Sequence, residues 1–230
     1  MAKTKIEWCD YTINPVKGLC PMACSFCYAR RMYKRFKWNP EIRYEDLFYS
    51  PGIKGRVGDK YFVGSTIELF GDWIRPEWLE DIFRWVNAYP QRTFIFLTKQ
   101  PQHLVRWSPF PENCWVGVSA TGPEQIRLAF KHLDYDVKAP VKFVSFEPLL
   151  GMIFSSFNVI ERFIKASGVN WAIIGRQTPP SKKTEPNLEW IQEIESACDK
   201  AGIPIFEKNN LKSLLNRPLK QEFPKVLKGE

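Results

Sequence analysis

The chain has 230 residues, 44% of them apolar and 25% charged, which is globular material able to bury a sizeable core and excludes collagen-like, disordered and fibrous classes. Its 33 Lys and Arg against 25 Asp and Glu leave a formal charge of +8. The longest apolar runs, such as residues 61–64 and 94–97, fall far short of the roughly 18 residues that span a bilayer, and the N-terminus has no signal-peptide apolar region. We therefore expect a cytoplasmic protein with no membrane partner.

The charge is uneven. Residues 1–60 hold 12 basic against 6 acidic side chains, residues 61–200 hold 15 against 16, and residues 201–230 hold 6 against 3. Basic ends can attract phosphate, in nucleic acid or a nucleotide, or can simply be solvated surface. No repeat, low-complexity tract or long Gly/Ser linker divides the sequence, so a single domain over 1–230 is expected, with a basic C-terminal extension at about 210–230.

In chain order, a first strand at 11–14 leads into a loop with Pro15, Gly18 and Pro21 that holds Cys20, Cys24 and Cys27. The other cysteines, Cys9, Cys114 and Cys198, are scattered. A disulfide frame suits small secreted chains without an adequate core, and this chain has core enough. Residues 28–37 carry five basic residues, three aromatics and no acid. They read either as a phosphate-gripping helix with stacking side chains, or as a first barrel helix with Met32, Tyr33 and Phe36 packed inward and the charges solvated.

Further strands are expected at 61–65, 93–98, 114–119, 141–146, 171–175 and 203–206, each nearly continuously apolar or β-branched, as in a parallel sheet buried on both faces. Between them, residues 76–89 open with a proline suited to a first helical turn and place Trp78, Leu79, Ile82, Phe83 and Val86 on one face. Residues 123–132 and 159–166 are shorter helix candidates. Residues 188–201 form another, with Asn187 as cap, a stripe of Trp190, Ile191, Ile194 and Cys198, and Gly202 as terminator. The alternation predicts an α/β fold: a parallel (β/α) barrel, partial or nearly closed, of about six or seven βα units and similar to a TIM barrel.

In such folds chemistry gathers at the carboxyl ends of the strands. The polar residues there are Ser65 and Glu68, Lys99, Ser119 and Thr121, Glu147, Arg176 and Gln177, then Glu207 and Lys208. A buried carboxylate or lysine is costly unless paired, so Lys99 and Glu147 are either a structural pair or substrate-facing groups. Arg176 and Gln177 are expected to face substrate. Cys114 and Cys198 read as core, whereas Cys9 reads as core, a substrate thiol or a group behind the loop.

Three cysteines at spacings of four and three residues can wrap one face of a metal centre, one ligand short of a closed zinc or iron–sulfur site. A fourth ligand, Cys9, His103 or His132, would make structural zinc, and the chain would then be a non-catalytic zinc- and nucleic-acid-binding module. The absence of a second cysteine pair argues against that spacing for zinc. Leaving one iron of a four-iron cluster open to a small molecule would make a catalytic site.

Cys20-x3-Cys24-x2-Cys27, with Phe26 and Tyr28 flanking the last cysteine, resembles the signature of the radical S-adenosylmethionine (SAM) superfamily. The resemblance extends from Ile6 to Asn209, to a small radical-SAM-like family of phages and prophages whose members usually carry no assigned reaction. It rests on Ile6-Glu-Trp-Cys-Asp10, Thr12-Ile-Asn-Pro15, Leu69-Phe-Gly-Asp-Trp73, Leu97-Thr-Lys99, Trp115-Val-Gly-Val-Ser119, Ser145-Phe-Glu-Pro-Leu-Leu-Gly151 and Ile203-Pro-Ile-Phe206. The chain departs from that family at Cys9, at Gly175-Arg-Gln-Thr178 and at Lys208-Asn209.

The resemblance implies that Cys20, Cys24 and Cys27 hold one [4Fe-4S] cluster, whose open iron takes the amino and carboxyl groups of S-adenosyl-L-methionine. An electron from the cluster would then yield a 5′-deoxyadenosyl radical that abstracts hydrogen from a substrate. It further implies that the loop Gly64, Ser65 and Thr66 receives the SAM amino group with Glu68 nearby, and that Ser119 and Thr121 meet the ribose hydroxyls. A reducing partner such as flavodoxin or ferredoxin follows from that chemistry. The basic ends suggest a nucleic-acid base, a nucleotide or another phosphorylated metabolite as substrate.

Overall fold

The structure is a computed structural model, and it describes residues 1–49, 52–133, 136–152 and 159–225. The chain divides into two compact units, Met1–Gln100 with Pro111–Trp115, and Pro101–Phe110 with Val116–Glu230.

In the first unit the elements are β1 (Ala2–Lys3), β2 (Tyr11–Ile13), β3 (Val16–Lys17), α1 (Tyr28–Phe36), β4 (Arg43–Tyr44), β5 (Lys60–Val63), α2 (Pro76–Asn87) and β6 (Thr93–Thr98). The strand order is β1-β2-β5-β6, with β2, β5 and β6 parallel and β1 antiparallel to β2. Tyr61, Phe94, Ile95 and Phe96 are fully buried, which explains why β5 and β6 read as continuous apolar runs. Residues Ile13, Val63 and Phe96 lie level through the register, so the loops that follow these strands leave from one edge. Helix α2 starts at Pro76, where the missing N–H costs nothing, and buries Leu79, Ile82, Trp85 and Val86. Trp78 and Phe83, expected on that stripe, are half-buried, and Trp85 takes the inward place.

β3 and β4 form a separate antiparallel pair, Val16 against Tyr44 and Lys17 against Arg43, that brackets the cysteine loop and α1. Their approach is close at Gly18, whose φ is +130° and where a Cβ would stand 2.6 Å from Ile42 Cα. Only glycine fits that crossing.

In the second unit the elements are β7 (Cys114–Ser119) from Val116 onward, α3 (Pro123–His132), β8 (Val141–Phe146), α4 (Val159–Ser167), β9 (Trp171–Ile174), α5 (Leu188–Ala201), β10 (Ile205–Glu207) and α6 (Lys212–Leu215). The order is β7-β8-β9-β10, and β8, β9 and β10 are parallel. Asn187 Oδ1 caps α5 by accepting from the Glu189 N–H at 3.0 Å, and Gly202 ends it in the left-handed conformation.

The segment after α6, within the expected basic extension, pairs with β10. Glu207 N–H donates to Lys220 O at 2.7 Å and Glu222 N–H to Ile205 O at 3.0 Å, while Phe206 bridges Gln221 in the antiparallel sense. Phe223 packs on Trp171 and Phe206. Arg217 reaches Glu207 at 2.8 Å and Glu195 at 2.5 Å. Residues 226–230 of that extension lie outside the described residues.

The α/β class and the parallel arrangement of the strands are as expected from the apolar runs. Among the described residues no helix is long and apolar enough to cross a membrane.

Candidate cofactor site

The edge of the first unit at the ends of β2, β5 and β6 is built from three loops that grip one another. Asn14, directly after β2, accepts from the Ser65 hydroxyl at 3.1 Å and from the Thr66 N–H at 3.3 Å. The loop it holds begins at Gly64, whose φ is +79° and where a Cβ would stand 2.4 Å from the Leu69 side chain. Any other residue there would strain the backbone and displace Leu69.

Glu68 ties this loop to both neighbours. Its carboxylate is 7% exposed and accepts from the Thr98 hydroxyl at 2.7 Å, the Phe70 N–H at 3.0 Å and the Lys99 N–H at 2.7 Å. Its own N–H donates to Cys20 Sγ at 3.5 Å. Three donors satisfy the buried charge, so Glu68 acts as a brace under the cysteine loop.

The cysteine loop passes from Gly18 to α1. Cys20, Cys24 and Cys27 are half-buried and form no disulfide. Cys27 Sγ accepts from the Arg30 N–H at 3.4 Å and so caps α1, which places this sulfur at the positive end of the helix. Arg30 turns back to Cys20 O at 2.7 Å, and Gln100 Nε2 donates to Met22 Sδ at 3.2 Å. Burial raises the Cys20 thiol above its ordinary pKa, and the Glu68 and Cys24 charges push the same way, against the N–H groups of Glu68 and Met22.

The flanking aromatics differ in exposure. Phe26 is half-buried and its carbonyl accepts from Arg31 at 3.3 Å, whereas Tyr28 is 45% exposed and its hydroxyl donates to Ser65 O at 2.6 Å. Tyr28 thus joins the cysteine loop to the Gly64–Thr66 loop, as Glu68 does from below. Asn14, Thr98 and Arg30 also hold this arrangement. The signal for the first two was their place at strand ends, while nothing in the sequence marked Arg30 apart from its basic neighbours.

Among the described residues no three His, Cys, Asp or Glu side chains gather closely enough to hold a metal ion. A single ion draws its sulfurs to within about 3.8 Å of one another, as follows from the metal–sulfur bond length. A four-iron cube instead takes one thiolate at each of three irons and needs the sulfurs spread around it. The three half-buried cysteines lie on one short loop, and N–H groups of Glu68 and Arg30 donate to two of the sulfurs, Cys20 and Cys27.

The second unit gathers another polar group at its strand ends. Glu147, after β8, pairs with Lys208, after β10. Gly175 lets them approach, since a Cβ there would stand 3.0 Å from Lys208 Cδ and 3.2 Å from Glu147 Cγ. Arg176, after β9, is held at its backbone by Asn210, which accepts from its N–H at 3.2 Å and donates to its carbonyl at 2.7 Å. Its guanidinium donates to Glu185 at 3.0 Å and to Ser213 at 2.9 Å, and its Nε is buried with no acceptor among the described residues. Gln177 is half-buried beside it. Ser119 ends β7 fully inside, at 3% exposure, and Thr121 is half-buried with its carbonyl accepting from Leu150 N–H.

Glu207 stands at the end of β10 as expected, but it is 0% exposed and clamped by Arg217, ten residues further on. One expectation needs correction. Phe36 does not pack inward: it is 52% exposed, although Tyr33 beside it is buried. Cys114 and Cys198 are core as expected, and burial pushes the Cys198 thiol up to about 12. Cys9 is buried.

The chain matches, over residues 3–213, the family described as protein of unknown function DUF5131. The chain belongs to the DUF5131 family. No curated protein matches it. The DUF5131 region takes in the cysteine loop, the Glu68 brace and the strand-end groups of both units.

Proposed function

We propose that this DUF5131 chain is a radical SAM enzyme, with its parallel strands forming a partial (β/α) barrel. The observation that carries the reading is the disulfide-free Cys20-x3-Cys24-x2-Cys27 loop, which follows the first parallel strand and is braced by Glu68 and Tyr28. Cys20, Cys24 and Cys27 would hold a [4Fe-4S] cluster. Such a cluster, when bound, supplies the electron that cleaves SAM reductively to methionine and a hydrogen-abstracting 5′-deoxyadenosyl radical.

The chain's own part is to bind, orient and shield. The Cys27 cap and the N–H of Glu68 give two sulfurs positive neighbours in place of water. The loop Gly64–Thr66 is fixed by Asn14, which suits a receptor for the SAM amino group. Glu68, with its carboxylate already filled by three donors, is a positioning residue in this scheme. In this scheme Ser119 and Thr121 would meet the ribose hydroxyls, and Lys99, Glu147, Arg176 and Gln177 would meet the substrate. The unspent Nε–H of Arg176 favours an anionic substrate, such as a nucleotide, a nucleic acid or another phosphorylated metabolite. A cytoplasmic reductant of the flavodoxin or ferredoxin class would deliver the electron.

Anaerobic reconstitution with iron and sulfide, followed by EPR of the reduced protein with and without SAM and an assay for 5′-deoxyadenosine, tests this reading. We expect a reduced-cluster signal that changes on adding SAM, with product formed, and loss of both in Cys24→Ala. One tightly held zinc with no iron uptake, or a cluster indifferent to SAM, would overturn it.

A further inference from the structure

The far end of α1 carries groups that the cofactor chemistry leaves unused. Every residue from Lys34 to Glu41 is exposed. Within that run Phe36 is 52% and Trp38 43% exposed, and their rings lie stacked, 5.6 Å apart at 22°. The stack is anchored beneath, since Trp38 meets the buried Tyr33 edge-on at 5.3 Å and 85°. The Arg35 guanidinium lies 5.2 Å from the Phe36 ring centre.

This corner is set by backbone that costs free energy. Lys37 takes the left-handed conformation at φ 51°, and its N–H and that of Trp38 both close on Tyr33 O. The chain thereby turns back and lays Trp38 over Phe36. Helix α1 has no acid in its first turn and ends in Lys34 and Arg35, with Lys37 next. Arg30 and Arg31 reach back to the cysteine loop. Among the described residues Lys34, Arg35 and Lys37 enter no salt bridge.

Two stacked, partly exposed rings flanked by three cations, one of them the Arg35 guanidinium over Phe36 that an incoming base would displace, match a chain that alternates flat bases with phosphates. A duplex buries its base faces and offers such rings nothing. We propose that the end of α1, with Phe36, Trp38, Lys34, Arg35 and Lys37, is a docking surface for single-stranded nucleic acid. Bases extend the Phe36–Trp38 stack, and the three cations hold the neighbouring phosphates. This narrows the substrate class of the reading above, and it is tested on the full chain without cofactor, so that its failure and the failure of the cluster reading are seen separately.

The experiment is fluorescence anisotropy with a labelled oligothymidylate and with a duplex of equal length, over a series of salt concentrations. We expect the single strand to bind more tightly than the duplex and to quench tryptophan emission. Phe36→Ala and Trp38→Ala should each weaken binding by about five- to a hundredfold without changing the salt slope. Replacing Lys34, Arg35 and Lys37 together by Gln should reduce the slope of log K against log salt by about 2. Phe36→Tyr should retain binding. Equal or tighter binding to the duplex, or indifference to both ring deletions, overturns the proposal. So does an acidic electron-transfer protein that binds through these same residues while the oligonucleotide does not.

Discussion

Glu68 shows how much of the candidate site depends on one buried acidic side chain. Its carboxylate fixes Thr98, Phe70 and Lys99, while its backbone meets Cys20. Glu68→Gln replaces one acceptor oxygen by a donor, so at least one of the three partners faces an N–H. We expect a loss of about 1–3 kcal/mol in urea unfolding, the usual cost of a buried hydrogen-bonding group left unmatched. Iron uptake after reconstitution should fall in the same variant, because the loop that presents Cys20 loses its brace. The cysteine loop was visible in the sequence as three cysteines within eight residues. Glu68 was visible only as a polar residue after a strand, since its three partners come from residues 2 to 31 positions away.

Among the elements, those set by continuous burial or by end chemistry were the legible ones. The ranges 93–98, 114–119, 141–146, 123–132 and 188–201 coincide with β6, β7, β8, α3 and α5, where burial on both faces or a capping residue leaves little freedom. The last strand was expected from residue 203 and begins at Ile205, because Pro204 has no N–H to give a ladder and serves only through its carbonyl, to Ala172. The β3–β4 pair was invisible: two residues a side carry no periodicity. Phe36 was misplaced because the 3–4 spacing from Met32 and Tyr33 presumes a helix that continues, whereas α1 stops there in the left-handed Lys37. Glycine bears that conformation without the Cβ penalty, so Lys37→Gly should stabilise the protein by about 0.5–1 kcal/mol, read as a raised urea midpoint.

At the scale of the whole molecule, the basic ends of the sequence have distinct uses. The N-terminal excess is concentrated in α1, but part of the C-terminal excess is consumed by acids of the second unit: Arg217 by Glu207 and Glu195, Lys220 by Asp199. Burial pushes the Glu195 carboxyl up to about 7, with the hydrogen bond and charge of Glu207 adding to it and Arg217 and Lys220 opposing. The Glu207 carboxyl is held below its ordinary range by Arg217, the Lys220 N–H and Glu195, against its own burial, which is the largest influence. The raised group stabilises the fold fully below its ordinary value near 4.5, and that contribution is lost as pH rises through about 7. The depressed group acts oppositely, its contribution being lost only in acid below the ordinary carboxylate range. We therefore expect the urea midpoint to fall between about pH 5 and pH 8, and Glu195→Gln to flatten that fall relative to the unaltered protein. The same clamp bears on how copies of the chain meet. β10 ends the strand order of its unit, and an end strand would ordinarily present a row of amide and carbonyl groups on which a neighbour's strand could be templated. The segment from Arg217 to Phe223 occupies that row, with Lys220 O, Gln221 and Glu222 N–H as pairing partners and Phe223 over the rings beneath. Self-association through this edge must first peel the segment away and break Arg217 from two carboxylates.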